Sequence, residues 1–304
     1  MTNSIIDKTP SAYAYPLLIK NLLANPLRQF PAQEIVYGDL KRQTYREMGE
    51  RIHRLASGLA GLGVKPGDTV AVMDWDSHRY LECFFAVPMM GAVLHTVNIR
   101  LSPEQILYTI NHAEDDVILV NAEFLPILEA IRDRIEPVKK FVLLNDADQP
   151  PVTSLNIDTE YEALLAAGDP HYLFPDFSED TRATTFYTTG TTGLPKGVYF
   201  SHRQLVMHTF GVMTALAGSG QGHISRDDVY LPITPMFHVH AWGVPYIATV
   251  MGLKQIYPGR YVPDHLLHLI QREKVTFSHC VPTILQMLLA SPVIDEVDLS
   301  RWKV

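Results

Sequence analysis

The sequence predicts an α/β fold of two packed, mostly parallel sheets flanked by helices. Three observations predict it. At 304 residues the chain exceeds a single typical domain. Its composition, 47% hydrophobic and 19% charged with mean hydropathy near zero, is that of a globular protein with a sizeable core. From Thr69 onward, short β-rich runs alternate with helical periods, the signature of crossover-linked strands in a sheet covered on both faces.

Taken in order, IVYGDLKRQTY at 35–45 reads as a hairpin around a Gly-Asp turn. Met48, Ile52, Leu55 and Leu59 then recur at helical spacing. TVAVM is a strand, Tyr80 to Met90 a helix, AVLHTV a strand. Ser102 as N-cap with Pro103 just inside opens the next helix. VILV at 117–120, the apolar-periodic AEFLPILEAIRDRI and FVLL at 141–144 continue the alternation. Asn145 to Asp180 is a Pro-, Asp- and Gly-containing connection with one short helical piece, YEALLAAG. It divides the chain into expected lobes 50–180 and 181–304. The second half repeats the pattern: TTFYT, GVYF, a helix from His202, DVYLPIT, an apolar segment from Trp242, KQIY, a helix from Pro263, VTFSHC, and a helix after Pro282. GSGQG at 218–222 reads as a surface loop.

A net charge of -8 gives no overall footprint for a polyanion, so nucleic acid is not an expected partner. YPLLIKNLL near the start is interrupted by Lys20 and Asn21 and lacks a cleavage pattern. The apolar stretches 83–94 and 241–253 are too short and too rich in Pro and Gly to span a bilayer. A cytoplasmic protein without a transmembrane segment is expected. Cys83 and Cys280 lie far apart in apolar settings and read as structural.

The chemistry concentrates in TTGTTGLPKG at 188–197, directly after the apolar run ATTFY. Glycines let backbone N–H groups converge on an anion, threonine hydroxyls donate to phosphate oxygens, and Lys196 adds a point charge. Composition alone favours a flexible surface turn; the order of the residues and their flanks favours a polyphosphate cradle. The spacing is not that of a Walker A loop, because Leu194 and Pro195 separate Gly193 from Lys196 and Gly197 follows. GVYF after the loop reads as a strand, and Ser201 with Gln204 forms a capping box for the next helix. The loop is therefore expected to join two strands.

YTTGTTGLPKGVYFSH at 187–202 resembles the phosphate loop of the AMP-forming acyl-CoA synthetase, peptide-synthetase adenylation and luciferase superfamily. Further segments resemble it in the expected order: QTYREM at 43–48, with Met48 where the family has Leu; AVPMMGAVLHTVNIRLSPEQI; PMFHVHAWG at 235–243; and RYVPDHLLHLIQREKVTFSHCVPTILQMLL. The match covers nearly the whole chain and is closest in flavour to fatty-acid-CoA ligases. It implies that residues 1–304 are part of the large N-terminal adenylation domain. The family's Tyr-Gly-x-Thr-Glu box, ribose-binding Asp, hinge and mobile C-terminal domain with its catalytic Lys do not occur in these residues. The 304 residues alone are accordingly expected to be inactive.

The resemblance implies activation of a carboxylic acid, of medium or long chain, by ATP to acyl-AMP and pyrophosphate, then transfer to CoA. Thr188, Thr189, Gly190, Thr191, Thr192, Gly193 and Lys196 are implied for the ATP phosphates, with Thr188 also touching Mg2+. His238 is implied beside the acyl carboxylate, and Val239, Trp242 and Gly243 as the acyl pocket. On a strand His238 and His240 would share a face, but no third ligand stands nearby, so zinc is not expected. His240 reads as a packing residue, and His202 and His208 as capping or packing residues. A homodimer is plausible by family. A carrier-protein or luciferase-type adenylating enzyme, and a non-catalytic nucleotide-binding module, remain alternatives.

Overall fold

In the computed structural model, which describes residues 6–188, 193–218 and 223–304, strand and helix alternate as the sequence pattern predicts. Helix α1 (Ile19–Gln29) precedes β1 (Glu34–Tyr37), β2 (Lys41–Thr44) and α2 (Tyr45–Gly61). Then follow β3 (Thr69–Met73), α3 (His78–Met89), β4 (Val93–Thr96), α4 (Pro103–Ala113), β5 (Asp115–Asn121), α5 (Leu125–Ile131), β6 (Lys140–Leu144), β7 (Thr159–Glu160) and α6 (Tyr161–Ala167). The remainder is β8 (Arg182–Thr188), β9 (Lys196–Ser201), α7 (His202–Gly218), β10 (Val229–Tyr230), α8 (Val244–Met251), β11 (Lys254–Tyr257), α9 (Pro263–Glu273) and α10 (Pro282–Leu289). Residues 219–222 of the GSGQG segment lie outside the described residues.

Local chemistry sets the helix starts. Thr44 and Glu47 form a reciprocal capping box at α2, and Ser102 with Gln105 forms another at α4, where Pro103 takes the first helical position. Met48, Ile52, Leu55 and Leu59 of α2 all face the core.

Two sheets result, ordered β7-β6-β5-β3-β4-β8-β9 and β10-β11-β1-β2. Each is parallel except for one edge pair, β8/β9 in the larger and β1/β2 in the smaller. All of α3 is buried, and it touches β1 of the small sheet and β3 of the large one. A helix buried on every face, with its charged Glu82 paired, suits that place between two layers.

The sheets cut across the division expected at residue 180. β8 and β9 join the first sheet, where Leu94, His95 and Thr96 of β4 pair with Thr184, Thr185 and Phe186. Without β8, the fully buried β4 would present an apolar open edge. Conversely, Ile35 to Tyr37 of β1 pair in parallel with Gln255 to Tyr257 of β11. DVYLPIT and VTFSHC are also less regular than expected. β10 stops at Tyr230, and the backbones of the two segments pair through isolated bridges, Tyr230 to Phe277 and Ile233 to Cys280, rather than a continuous ladder. Pro232 has no N–H to continue a ladder.

Candidate functional site

β8 carries the loop out of the core. Residues Ala183 to Tyr187 are buried, and Thr188 emerges at the carboxyl end of the strand. Because β3, β4 and β8 run parallel, this is the edge at which α/β sheets place ligands. β9 returns antiparallel, with Thr188 directly opposite Lys196 and the Thr188 hydroxyl donating to the Lys196 carbonyl at 3.5 Å. The loop therefore joins two strands, and its two functional ends are held side by side and exposed. Gly193 has φ +118°, a conformation that disfavours any side chain. Thr189, Gly190, Thr191 and Thr192 lie outside the described residues.

PMFHVHAWG takes a shape that strand periodicity does not suggest. Val239, His240, Ala241 and Trp242 all have φ between +47° and +57°, and Gly243 follows at +71°. Such a left-handed turn is unfavourable for L-residues by roughly 1–2 kcal/mol per residue, so its surroundings must hold it. Upstream, the Met236 N–H donates to Asp76 Oδ1 at 2.8 Å, and the Thr96 hydroxyl donates to the Phe237 carbonyl at 3.2 Å. Downstream, the His208 imidazole donates from Nε2 to the Trp242 carbonyl at 3.0 Å.

The turn separates the histidines that a strand would have put on one face. His238 is exposed. His240 is 1% exposed and packs edge-on against Phe84 and Phe186 and beside Phe200, with neither ring nitrogen hydrogen-bonded. Burial pushes its imidazole down to about 3, so it is neutral. No cluster of three or more His, Cys, Asp or Glu side chains suited to a metal occurs among the described residues.

Val239, Trp242 and Gly243 line one cavity of about 360 Å³. Its opposite wall is Phe200 of β9 with Leu205, Met207 and His208 of α7. The surface is mainly apolar with a few polar groups at one side, the general character of a small-molecule site. His240, seated on Phe186 and Phe200, packs the turn against the hairpin that bears the loop.

At Gly243 the His208 side chain of α7 comes close to the turn backbone. A Cβ there would lie 2.8 Å from His208 Cδ2. Gly243→Ala is expected to break the His208–Trp242 hydrogen bond and destabilise the chain by about 1–3 kcal/mol. Thermal denaturation checks this, and an unchanged melting temperature would contradict it.

Sequence reasoning did not find Asp76, Thr96 or Tyr261. Asp76 carried the one available signal: a carboxylate just beyond the apolar strand TVAVM, at a carboxyl-terminal sheet edge.

The AMP-binding enzyme family model matches residues 23–304, and the chain belongs to that family. It is 46% identical over 248 residues to a long-chain-fatty-acid–CoA ligase of Thermus thermophilus, covering 81% of this chain and 43% of that protein. It is 39% identical over 280 residues to a medium-chain-fatty-acid–CoA ligase of Ectopseudomonas oleovorans, covering 90% and 50%. The chain thus spans about half the length of these relatives. A long-chain-fatty-acid–CoA ligase from Archaeoglobus fulgidus shares the fold at TM-score 0.80 and 21% identity, over 98% of this chain and 59% of that one. No described helix is long and apolar enough to cross a membrane.

Proposed function

We propose that this chain forms the phosphate-binding and acyl-binding half of an ATP-dependent acyl-CoA synthetase acting on medium- or long-chain fatty acids. The observation that carries the reading is the sharing of one hairpin: β8 and β9 bear the loop at one end, and Phe200 of β9 forms a wall of the apolar cavity. Relatives named as long- and medium-chain ligases support the acyl class.

In this reading the loop from Thr188 to Lys196 holds the ATP phosphates. Adenylation needs alignment and charge stabilisation more than a protein nucleophile. Lys196, exposed at the loop base, neutralises developing negative charge. Mg2+ bound with the nucleotide would offset the charge on its phosphates. The Thr188 hydroxyl, an exposed hard oxygen donor at the mouth of the loop, suits a cation that keeps several waters and its phosphates as ligands. His238 orients the acyl carboxylate toward the α-phosphorus, while Val239, Trp242 and Gly243 receive the acyl chain. Carboxylate attack on the α-phosphorus expels pyrophosphate and gives acyl-AMP, and the CoA thiol then takes the acyl group with release of AMP. The reading assigns the protein to the cytosol, where ATP and CoA are supplied, and leaves room for a homodimer.

The test is carboxylate-dependent exchange of labelled pyrophosphate into ATP by the full-length protein. Stimulation by eight- to sixteen-carbon acids is expected; no stimulation by any acid in a broad panel would sink the proposal. Supplying CoA and a carrier protein separately distinguishes the acceptors. The 304 residues alone should exchange at background. Lys196→Ala in the full-length protein should lower exchange by about 10- to 100-fold, mainly through weaker ATP use.

A further inference from the structure

We infer that Asp76 is the positioning residue for the His238 turn: one buried carboxylate clasps that turn and the loop after β11 to the carboxyl end of β3. The inference rests on the reading of His238 above, and its geometry stands independently.

Asp76 is 2% exposed and lies just beyond β3. Each of its hydrogen-bonding oxygens has a different partner. Oδ1 accepts the Met236 N–H at 2.8 Å, two residues before His238. Oδ2 accepts the Tyr261 hydroxyl at 2.5 Å. Its backbone carbonyl accepts the Gly259 N–H at 2.9 Å, within an antiparallel bridge. Three chain segments distant in sequence thus meet on one residue. β3 belongs to the large sheet, whereas Gly259 and Tyr261 follow β11 of the small one. The clasp joins the two sheets where the turn begins.

The turn needs such an anchor. Its left-handed backbone is locally unfavourable, and His238 itself is exposed with two local backbone bonds, its N–H to the Pro235 carbonyl at 2.9 Å and its carbonyl from the Ala241 N–H at 3.0 Å. The anchors that fix Met236 and Phe237 from outside the turn are Asp76 and Thr96. A side chain that must meet a reacting carboxylate within about 0.5 Å depends on such supports. A buried carboxylate is also an unfavourable choice for packing alone. Burial pushes the Asp76 carboxyl up to about 7, against the pull of Tyr261, the Met236 N–H and Arg100 and with the nearby Asp74 adding to the rise.

The clasp makes a chemical prediction that bulk does not. An asparagine keeps an oxygen for the Met236 N–H and presents an N–H to the Tyr261 oxygen. An alanine keeps neither. Hydrogen exchange of amides 236–238, measured by mass spectrometry on the full-length protein, should speed up at least tenfold in Asp76→Ala. It should stay within about threefold of the parent in Asp76→Asn. Tyr261→Phe removes one partner and should give an intermediate change; it carries the test if the alanine variant does not fold. In carboxylate-dependent pyrophosphate exchange, Asp76→Ala and Tyr261→Phe should lower kcat and leave the KM for ATP within about twofold, with Asp76→Asn restoring most of kcat.

Unchanged exchange at 236–238 in both folded Asp76→Ala and Tyr261→Phe would overturn the inference, as would an asparagine variant as defective as alanine. If the parent protein activates no acid, the functional reading fails while the amide measurement still decides the clasp.

Discussion

Replacing Arg51 with alanine is expected to destabilise the chain by about 3–5 kcal/mol, the typical cost of stranding one member of a buried ion pair. Glu82 on α3 is fully buried, and three side chains converge on its carboxylate. Arg51 on α2 donates from Nε at 2.7 Å and from Nη2 at 3.2 Å, Tyr161 donates its hydroxyl at 2.6 Å, and Gln43 donates its amide at 2.9 Å. The other edge of the same guanidinium binds Glu162 at the start of α6 through two bonds of 2.7 Å. Arg51 therefore ties α2 to both α3 and α6. Without it, Glu82 retains two neutral donors and no counter-charge in a site closed to water.

Chemical denaturation of Arg51→Ala and of the Arg51→Met/Glu82→Leu pair separates charge from packing. The double variant should be closer to the parent than Arg51→Ala, since both charges leave together. An Arg51→Ala loss below 1 kcal/mol would show that the pair is solvated. Since α3 lies between the two sheets, the loss should also be global: amide protection in β1 and β3 should fall together.

What was legible in the sequence is what local chemistry determines. Ser102 with Pro103, and Ser201 with Gln204, mark helix starts through bonds spanning three residues, and both are present. The β8–loop–β9 hairpin was legible for the same reason: apolar strand, glycines, strand. Two kinds of feature were not. The pairing of β1 with β11 joins Ile35 to Gln255, and the Asp76 clasp reaches Met236; no short-range pattern encodes either partner. The left-handed turn at 239–242 is contrary to local preference, because L-residues at positive φ are held by their surroundings. Its consequence for the site is direct. Strand reasoning would put His238 and His240 on one face, and the turn instead exposes the first and buries the second.

That burial, repeated at other positions, sets the behaviour of the fold in acid. His240 is held down to about 3, His202 and His279 to about 4, and His78 far below its ordinary value, in each case chiefly because burial disfavours the imidazolium. A depressed imidazole gives stability that is fully present above pH 6.5 and is lost as pH falls toward the folded value. At pH 5 the unfolded chain therefore binds more protons on these four groups than the folded chain, and their contribution to stability falls as pH falls.

Buried carboxyls oppose this. Asp76, raised by burial to about 7, is protonated in the fold at pH 5 and ionised when unfolded, and Asp74 and Asp115 are raised in the same direction. Their stability is present at low pH and lost as pH rises. Four depressed imidazoles oppose three raised carboxyls, so the net slope keeps the histidine sign. The chain is expected to resist denaturant clearly less at pH 5.0 than at pH 7.5. His240→Asn, which tolerates the left-handed backbone and does not titrate, should reduce that slope by about 1 kcal/mol per unit, the effect of roughly one proton. Equal denaturation midpoints at the two pH values would mean that these imidazoles reach water in the folded chain. A slope unaltered by His240→Asn would say so of His240 in particular, and the cavity wall beside it would then be a wet one.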